Sequence, residues 1–308
     1  MKQLVAPSIL RCSAVALALG AAAAALAAAG SASAEVTFQL GFQDRDVARM
    51  VSLGGTCNNC ELSGRDLTGA AFTGAVFINA TLIDANLRGA ELVGSNFSGS
   101  DFSRADLSGA EMVGANFTGA NFTGADLSGA EATGATLVRV RLAGADLTGA
   151  ELTGANLNGA VLANANLSSA ELNATTLANV NARSANFSGS EISMSNLSNG
   201  DFGGASFREA TLNGARLTGG NFAGTDFRNA EMNRVDVRGT DLSGARGLNQ
   251  EQIGRTCGDS GTRLPAGLTV RVCRGVSMVR IAPPAPPAAP VPPVPPRVRN
   301  LVVANAGH

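Results

Sequence analysis

Seven glutamates recur along the chain at intervals of 20 residues, with one interruption at Thr211. If the fold brought them into one column, their carboxylates could bind divalent cations, which prefer oxygen ligands, or a basic partner. Carboxylates about 5 Å apart repel by roughly 1 kcal/mol in water. The simpler alternative is a solvated face on which the side chains spread apart. The seven residues are Glu91, Glu111, Glu131, Glu151, Glu171, Glu191 and Glu231.

Four cysteines form a second group with possible chemistry: Cys57, Cys60, Cys257 and Cys273. An even number of cysteines in an exported chain favours disulfides, with free thiols or a redox-active C-x-x-C pair as the alternatives. A zinc site needs about four ligands in one place. The only histidine is His308 at the end of the sequence. We therefore expect no metal site.

Catalytic groups are scarce in the rest of the chain. The only lysine is Lys2, inside a segment that we expect to be removed, and there is no Tyr or Trp. Schiff-base chemistry and histidine-based proton transfer therefore lack their residues. Ser and Thr are abundant, but no histidine accompanies them. We expect neither enzymatic activity nor a cofactor.

A five-residue repeat must position these groups. Every fifth residue from Leu62 to Leu242 is apolar, over 37 positions without a slip. Ala is common two positions before each of these centres, Asp or Asn one before, and Gly or Asn two after. Frequent Gly excludes a long α-helix, and the period does not match the alternation of a flat strand. We predict short extended stretches with turns at Gly or Asn, which tolerate positive φ.

The unit Ala125-Asp126-Leu127-Ser128-Gly129 and its copies over residues 60–244 resemble the pentapeptide-repeat family. The resemblance implies an all-β fold, a right-handed quadrilateral parallel β-helix with four units per coil. It implies about nine coils here, stacked about 4.8 Å apart in a rod of roughly 44 Å. The glutamate spacing agrees with a coil of 20 residues. The centres should fill the interior, among them Leu107, Phe117, Leu127, Leu147, Leu157 and Leu167.

The segments outside the repeat predict export and closed ends. Lys2 and Arg11, an Ala/Leu run and Ala32-Ser33-Ala34 are typical of a cleaved secretory signal, with an uncleaved membrane anchor as the alternative. Short helices over 43–53 and from Asn249 should cap the two open ends of the β-helix. We predict a signal peptide (1–34), an N-terminal cap (35–59), the β-helix (60–245), a C-terminal cap (246–280) and a disordered Pro-rich tail (281–308).

These features favour a non-enzymatic scaffold of the periplasm or cell exterior. Its flat faces would bind a protein or glycan partner of the cell envelope. We expect no nucleic-acid partner and no stable membrane insertion once the signal is removed. The oligomeric state stays open.

The family resemblance supplies an alternative function. Some pentapeptide-repeat proteins resemble duplex DNA in size and negative charge and inhibit topoisomerases. Residues 60–245 carry 19 acidic residues and 11 arginines, which is the required sign. The net negative charge lies before residue 200, however, where 13 acidic residues stand against 6 arginines, whereas a DNA mimic needs charge along its whole length. An exported protein would not meet a cytoplasmic topoisomerase.

Overall fold

The computed structural model describes residues 55–273 of the chain. The signal peptide, the helix over 43–53 and the Pro-rich tail lie outside the described residues and stay predictions, as does the right-handed sense of the coil. Within the described range the chain is a β-helical repeat structure in which each coil takes 20 residues.

The coils are joined by parallel bridges between residues 20 apart in sequence, such as Asp106 with Asp126. From Glu61 to Asp241 the bridging residue stands directly before a buried centre. Its amide donates to the coil before it (Asp106 N to Ala85 O, 2.9 Å), and the amide of the centre donates to the coil after it (Leu107 N to Asp126 O, 2.7 Å). Each unit therefore contributes a single bridging residue, because a turn follows directly after the centre.

A β-turn closes every unit. The amide three residues after a centre donates back to the carbonyl of that centre, as Ala110 N does to Leu107 O at 3.0 Å. The corner residue, two after the centre, has positive φ in every unit from Gly64 to Gly244. Glycine adopts this conformation without steric cost, while a residue such as Ala174 (φ 55°) is held in it by the surrounding coils.

Four units complete one coil and give the solenoid four faces. Face 1 begins at the centre Leu62, face 2 at Leu67, face 3 at Phe72 and face 4 at Phe77, and each face recurs every 20 residues. A rung is one unit of one face. On each rung the residues before and after the centre point outward, so a face carries two columns of side chains and a column of corners.

The centres form one dry column. All 37, from Leu62 to Leu242, are at most 3% exposed, and they include the predicted centres Leu107, Phe117, Leu127, Leu147, Leu157 and Leu167. Phenylalanines gather in two stacks, one over Phe72–Phe122 and one over Phe187–Phe227, where rings one coil apart lie nearly parallel. The middle coils are filled by Leu and Ala.

Polar side chains at the small inward position are satisfied inside the column. Ser100 donates to Phe77 O at 2.6 Å and accepts from Ala80 N at 3.0 Å, so its hydroxyl bridges a turn in the coil before it. Within residues 55–273 no buried side-chain polar atom lacks a hydrogen-bond partner. The Ser and Thr residues that replace Ala are therefore tolerated because each finds a main-chain partner.

A short cap follows the last coil. Helix α1 (Gln250–Gly254) begins at Asn249, whose side chain and that of Gln252 form a capping box, and Ile253 is fully buried. Strands β1 (Cys257–Gly258) and β2 (Arg271–Val272) then pair in parallel and extend face 4 beyond Asp236. No helix in the described part of the chain has the length and apolarity needed to cross a bilayer.

Replacing Leu157 by Asp should destabilise the fold by more than about 3 kcal/mol, because it removes a buried apolar side chain and places a charge in the dry column. The matched control is Asn156→Asp on the adjacent outward position, which keeps the oxygen that accepts from Asn158 N. Urea unfolding followed by far-UV circular dichroism measures both. Equal midpoints for the two variants would contradict the inward assignment of the centres.

Candidate functional site

The seven glutamates lie in one column on face 3. Parallel bridges join Glu91 to Glu111 and continue rung by rung to Glu191, then pass through Thr211 to Glu231. All seven side chains are exposed. The stretch from Glu91 to Glu191 is therefore an unbroken line of six carboxylates on a rigid backbone, at the spacing of neighbouring strands, about 4.8 Å.

On the other faces the residue before the centre has a structural task. Its side-chain oxygen accepts the main-chain N–H two residues later: Asp106 Oδ1 accepts from Ser108 N at 3.0 Å, and Asn116 Oδ1 from Thr118 N at 3.0 Å. The same bond recurs along faces 1, 2 and 4. This Asx-type contact explains the preference for Asp and Asn, which the sequence alone showed as a pattern without a cause.

The glutamate column does not perform this task. None of the seven accepts the N–H two residues on, and Glu91, Glu111, Glu131, Glu151 and Glu171 accept no hydrogen bond from residues 55–273. Asn173 donates to Glu191 and Asn213 to Glu231, each at 3.1 Å. In the described part of the chain none of the seven forms an ion pair; the salt bridges found there involve other acids. The column is thus free to meet an outside partner.

Face 2 carries a second acidic column that sequence inspection missed. Asp106, Asp126 and Asp146 stack on consecutive rungs. Farther along the same face Asp226 is 4% exposed, and Arg228 binds its carboxylate through two nitrogens. Hydrogen bonding from Arg228 is the main cause that lowers the pKa of Asp226 to about 2. Listing residues by their position modulo 20 would have revealed this column.

The cysteines are paired in two disulfides, Cys57 with Cys60 and Cys257 with Cys273, which confirms the disulfide prediction. Cys60 is buried at an inward position of the first coil. The second bond ties the end of β2 to β1. Both disulfides therefore strengthen an end of the described solenoid.

Asp236 lies beside the second disulfide, within 4.8 Å of both sulfur atoms. Its carboxylate accepts from Arg238 Nε at 2.9 Å and Nη2 at 2.6 Å. The hydrogen bond from Arg238 lowers the pKa of Asp236. With the sulfurs joined to each other and the carboxylate bound to a guanidinium, this group offers no open set of metal ligands.

One recess departs from the expected flatness. A cleft of about 330 Å³ lies between the last coil and α1, lined by residues that include Arg228, Glu231, Asn233 and Arg255. Arg255 is paired with Glu251 and Arg228 with Asp226. The lining contains no Ser, Thr, Cys or His, so the recess lacks a nucleophile with a base.

Comparison with known proteins gives one family and several solved structures that are similar to this chain. The model of the family "Pentapeptide repeats (8 copies)" matches residues 60–99, 100–137, 125–164, 141–177, 165–204 and 205–244. No curated protein sequence matches the chain. HetL, a pentapeptide repeat protein involved in heterocyst differentiation regulation from the cyanobacterium Nostoc sp. strain PCC 7120, is 28% identical over 73% of this chain and 93% of its own, with a TM-score of 0.51.

Two further structures are similar at lower scores. QnrB1, a plasmid-mediated fluoroquinolone resistance protein, is 22% identical over 68% of this chain and 92% of its own, with a TM-score of 0.35. A pentapeptide repeat protein of the Arabidopsis thaliana thylakoid lumen is 31% identical over 35% of this chain and 72% of its own, with a TM-score of 0.28. The likeness to QnrB1 concerns the fold alone.

The different tasks of the Asp/Asn columns and of the glutamate column can be tested by truncation in a single coil. Asn116→Ala should lower the free energy of unfolding by about 1 kcal/mol, because the N–H and hydroxyl of Thr118 lose their acceptor. Glu111→Ala should change it by less than about 0.5 kcal/mol. Urea unfolding at neutral pH measures both. A larger loss for the glutamate variant would contradict the assignment.

The pH dependence of stability should report the pairing of Asp226. Its folded pKa of about 2 lies below the ordinary value, so the pair stabilises the fold above about pH 4 and stops doing so as the pH falls through 2. Asp226→Asn should therefore lose most stability at pH 7, and the gap to the unmodified protein should shrink between pH 4 and pH 2. Asp126→Asn, the same position without an ion pair, is the control. A gap that is independent of pH would contradict the pairing.

Proposed function

Because the chain belongs to the pentapeptide repeat family, we propose that it is a non-enzymatic interaction scaffold and that face 3 binds a protein partner with a basic surface. We further propose that it acts in the periplasm or cell exterior, as the N-terminal signal pattern predicts. A glycan partner that binds a face without charge pairing is the alternative within this class.

The observation that carries the proposal is the contrast between face 3 and the other faces. Asp and Asn side chains elsewhere are occupied by main-chain amides, while five consecutive glutamates of face 3 accept no hydrogen bond from the described residues. Such a line of like charges has no structural benefit within the chain, since each neighbouring pair repels by roughly 1 kcal/mol in water. A cationic partner relieves that repulsion, and the rigid backbone holds the carboxylates in place before binding.

The faces suit binding better than catalysis. The outward side chains lie in regular columns, and the recess beside α1 has no Ser, Thr, Cys or His in its lining. Pentapeptide repeat proteins are in general structural or interaction proteins. HetL is involved in the regulation of heterocyst differentiation, which is compatible with a scaffold that acts through contacts.

A DNA-mimic inhibitor of a topoisomerase is the second candidate, and the line of six glutamates favours it. The charge is not continuous, however. Residues 201–273 carry nine arginines against eight acidic residues. A supercoiling assay with the purified protein, together with a reporter fusion that tests export, distinguishes the two functions: inhibition by a protein retained in the cytoplasm would favour the mimic.

The scaffold proposal predicts that neutralising face 3 abolishes partner capture. The test variant changes Glu111, Glu131, Glu151 and Glu171 to Gln. The control removes four acids from face 1 by Glu61→Gln, Asp101→Asn, Asp201→Asn and Asp241→Asn, so the two variants have the same net charge. Each protein is immobilised and exposed to an envelope fraction, with residues 281–308 present or deleted, and a captured protein is then purified and titrated against all three forms.

We expect the dissociation constant of the face 3 variant to rise at least tenfold more than that of the control. Salt should weaken binding to the unmodified protein, because it screens exposed charge pairs. Equal binding by all forms, unaffected by salt, would overturn the assignment to face 3. Binding that resists protease treatment of the fraction but not glycosidase treatment would instead support a glycan.

A further inference from the structure

Face 2 carries opposite charges in two separate groups of rungs, which follow the rungs of Asp66 and of Asn86 with Arg88. Asp106, Asp126 and Asp146 occupy three successive rungs, and no arginine stands on those rungs. Three arginines, Arg208, Arg228 and Arg246, occupy the last three rungs of the same face, and all three are exposed. The two rungs between these groups present only uncharged side chains, from Asn166 and Ser168 to Asn186 and Ser188.

The order of these charges is symmetric about the middle of the eight rungs from Asp106 to Arg246. Counting outward from the point between the rungs of Asn166 and Asn186, the rung of Asp146 is matched by that of Arg208, Asp126 by Arg228 and Asp106 by Arg246. A second copy turned end over end about this point therefore sets each acidic rung against a basic rung. Such a two-fold arrangement is isologous, so every pair occurs twice.

We propose that the protein forms an antiparallel homodimer in which face 2 of one copy packs on face 2 of another, with the two-fold axis between the rungs of Asn166 and Asn186. Rotation about this axis keeps each column of side chains opposite the same column of the partner. Asp106 then lies directly opposite the partner's Arg246, because both hold the bridging position of their rungs. Arg208 stands after its centre and reaches the partner's Asp146 diagonally.

The rung of Asp226 and Arg228, which carries both a negative and a positive charge, is compatible with this arrangement. Asp226 stands opposite the partner's Asp126, but its carboxylate is buried and held by Arg228, whose own side chain is 54% exposed. The surface that this rung shows to a partner is therefore the guanidinium. Arg208 also has Glu209 at 3.9 Å, so its attraction is partly offset and the pair of Asp106 with Arg246 is the stronger one.

The other faces lack this complementarity in the described residues. Face 3 would place its glutamates against glutamates. Face 1 has acids towards both ends, Glu61 and Asp101 at one and Asp201 and Asp241 at the other. Face 4 is uncharged on the rungs from Asn96 to Asn196 except for the corner residue Arg139. Charge complementarity between two copies thus selects face 2, and it leaves the glutamates of face 3 accessible to another partner.

The size of the contact sets its expected strength. The eight rungs from Asp106 to Arg246 span about 34 Å at the inter-strand spacing, and a rung is roughly 10 Å wide. The two copies together would bury about 700 Å², which is below the standard size of stable interfaces and in the range of weak, transient contacts. We therefore expect a dimer that dissociates at micromolar concentration and weakens when salt screens its ion pairs.

Charge reversal tests the interface and its register. Asp106→Arg and Arg246→Asp should each raise the dimer dissociation constant at least tenfold, since each places like charges opposite each other twice, and the double variant should restore the dimer. Glu111→Arg, in the same coil but on face 3, is the control and should leave the dimer unchanged. Sedimentation velocity over a range of protein concentrations measures the constant, and thermal melting verifies that each variant is folded.

A cross-linking experiment reports the antiparallel register independently. Thr148→Cys mixed with Arg208→Cys should give covalent dimers with a short bis-maleimide, because these columns face each other, while Thr148→Cys alone should give few. Three outcomes would overturn the proposal. The protein could stay monomeric at a concentration of about 100 μM, the dimer could be unaffected by both single charge reversals, or Thr148→Cys alone could cross-link efficiently.

Discussion

The whole structure depends on main-chain hydrogen bonds between residues 20 apart. Each unit sends one amide to the coil before it, two to the coil after it and one across its own turn, as the unit around Leu107 shows. The fifth amide, that of Ser108, has no main-chain partner in this arrangement and donates to the side chain of Asp106. On faces 1, 2 and 4 the need to pair this amide therefore favours Asp or Asn directly before the centre.

The interior follows from this lattice. Because coils are stacked at a fixed spacing, the centres of one face touch each other in a row, and rings such as Phe102 and Phe122 lie parallel with centroids 4.6 Å apart. The inward position two residues earlier has room only for small side chains. Where Ser or Thr stands there, its hydroxyl must bond to a carbonyl, as Thr175 does to Leu152 O at 2.7 Å. Stability is thus a sum over neighbouring coils.

The same lattice arranges the surface residues in columns. Residues 20 apart in sequence become neighbours, so a substitution pattern spread over a hundred residues appears as one column. On faces 1, 2 and 4 the column before the centre serves the backbone. On face 3 the glutamates do not accept that amide, and five of them in a row accept no hydrogen bond from the described residues. The acids and arginines on separate rungs of face 2 concern a second copy of the chain, so the two acidic faces have separate roles.

The sequence by itself determined the period, the inward centres and the alignment of the glutamates, because a repeat of five residues read four to a coil leaves no freedom in which residues share a face. It also predicted the helix from Asn249, whose capping box depends on residues three apart. Only the tertiary structure decided which side chains are engaged in hydrogen bonds or ion pairs within the chain. The bond from Ser108 N to Asp106, the burial of Asp226 under Arg228 and the recess beside α1 depend on side-chain reach and on how the cap meets the last coil. Those contacts join groups through space, and a repeat pattern carries no information about the conformation of individual side chains.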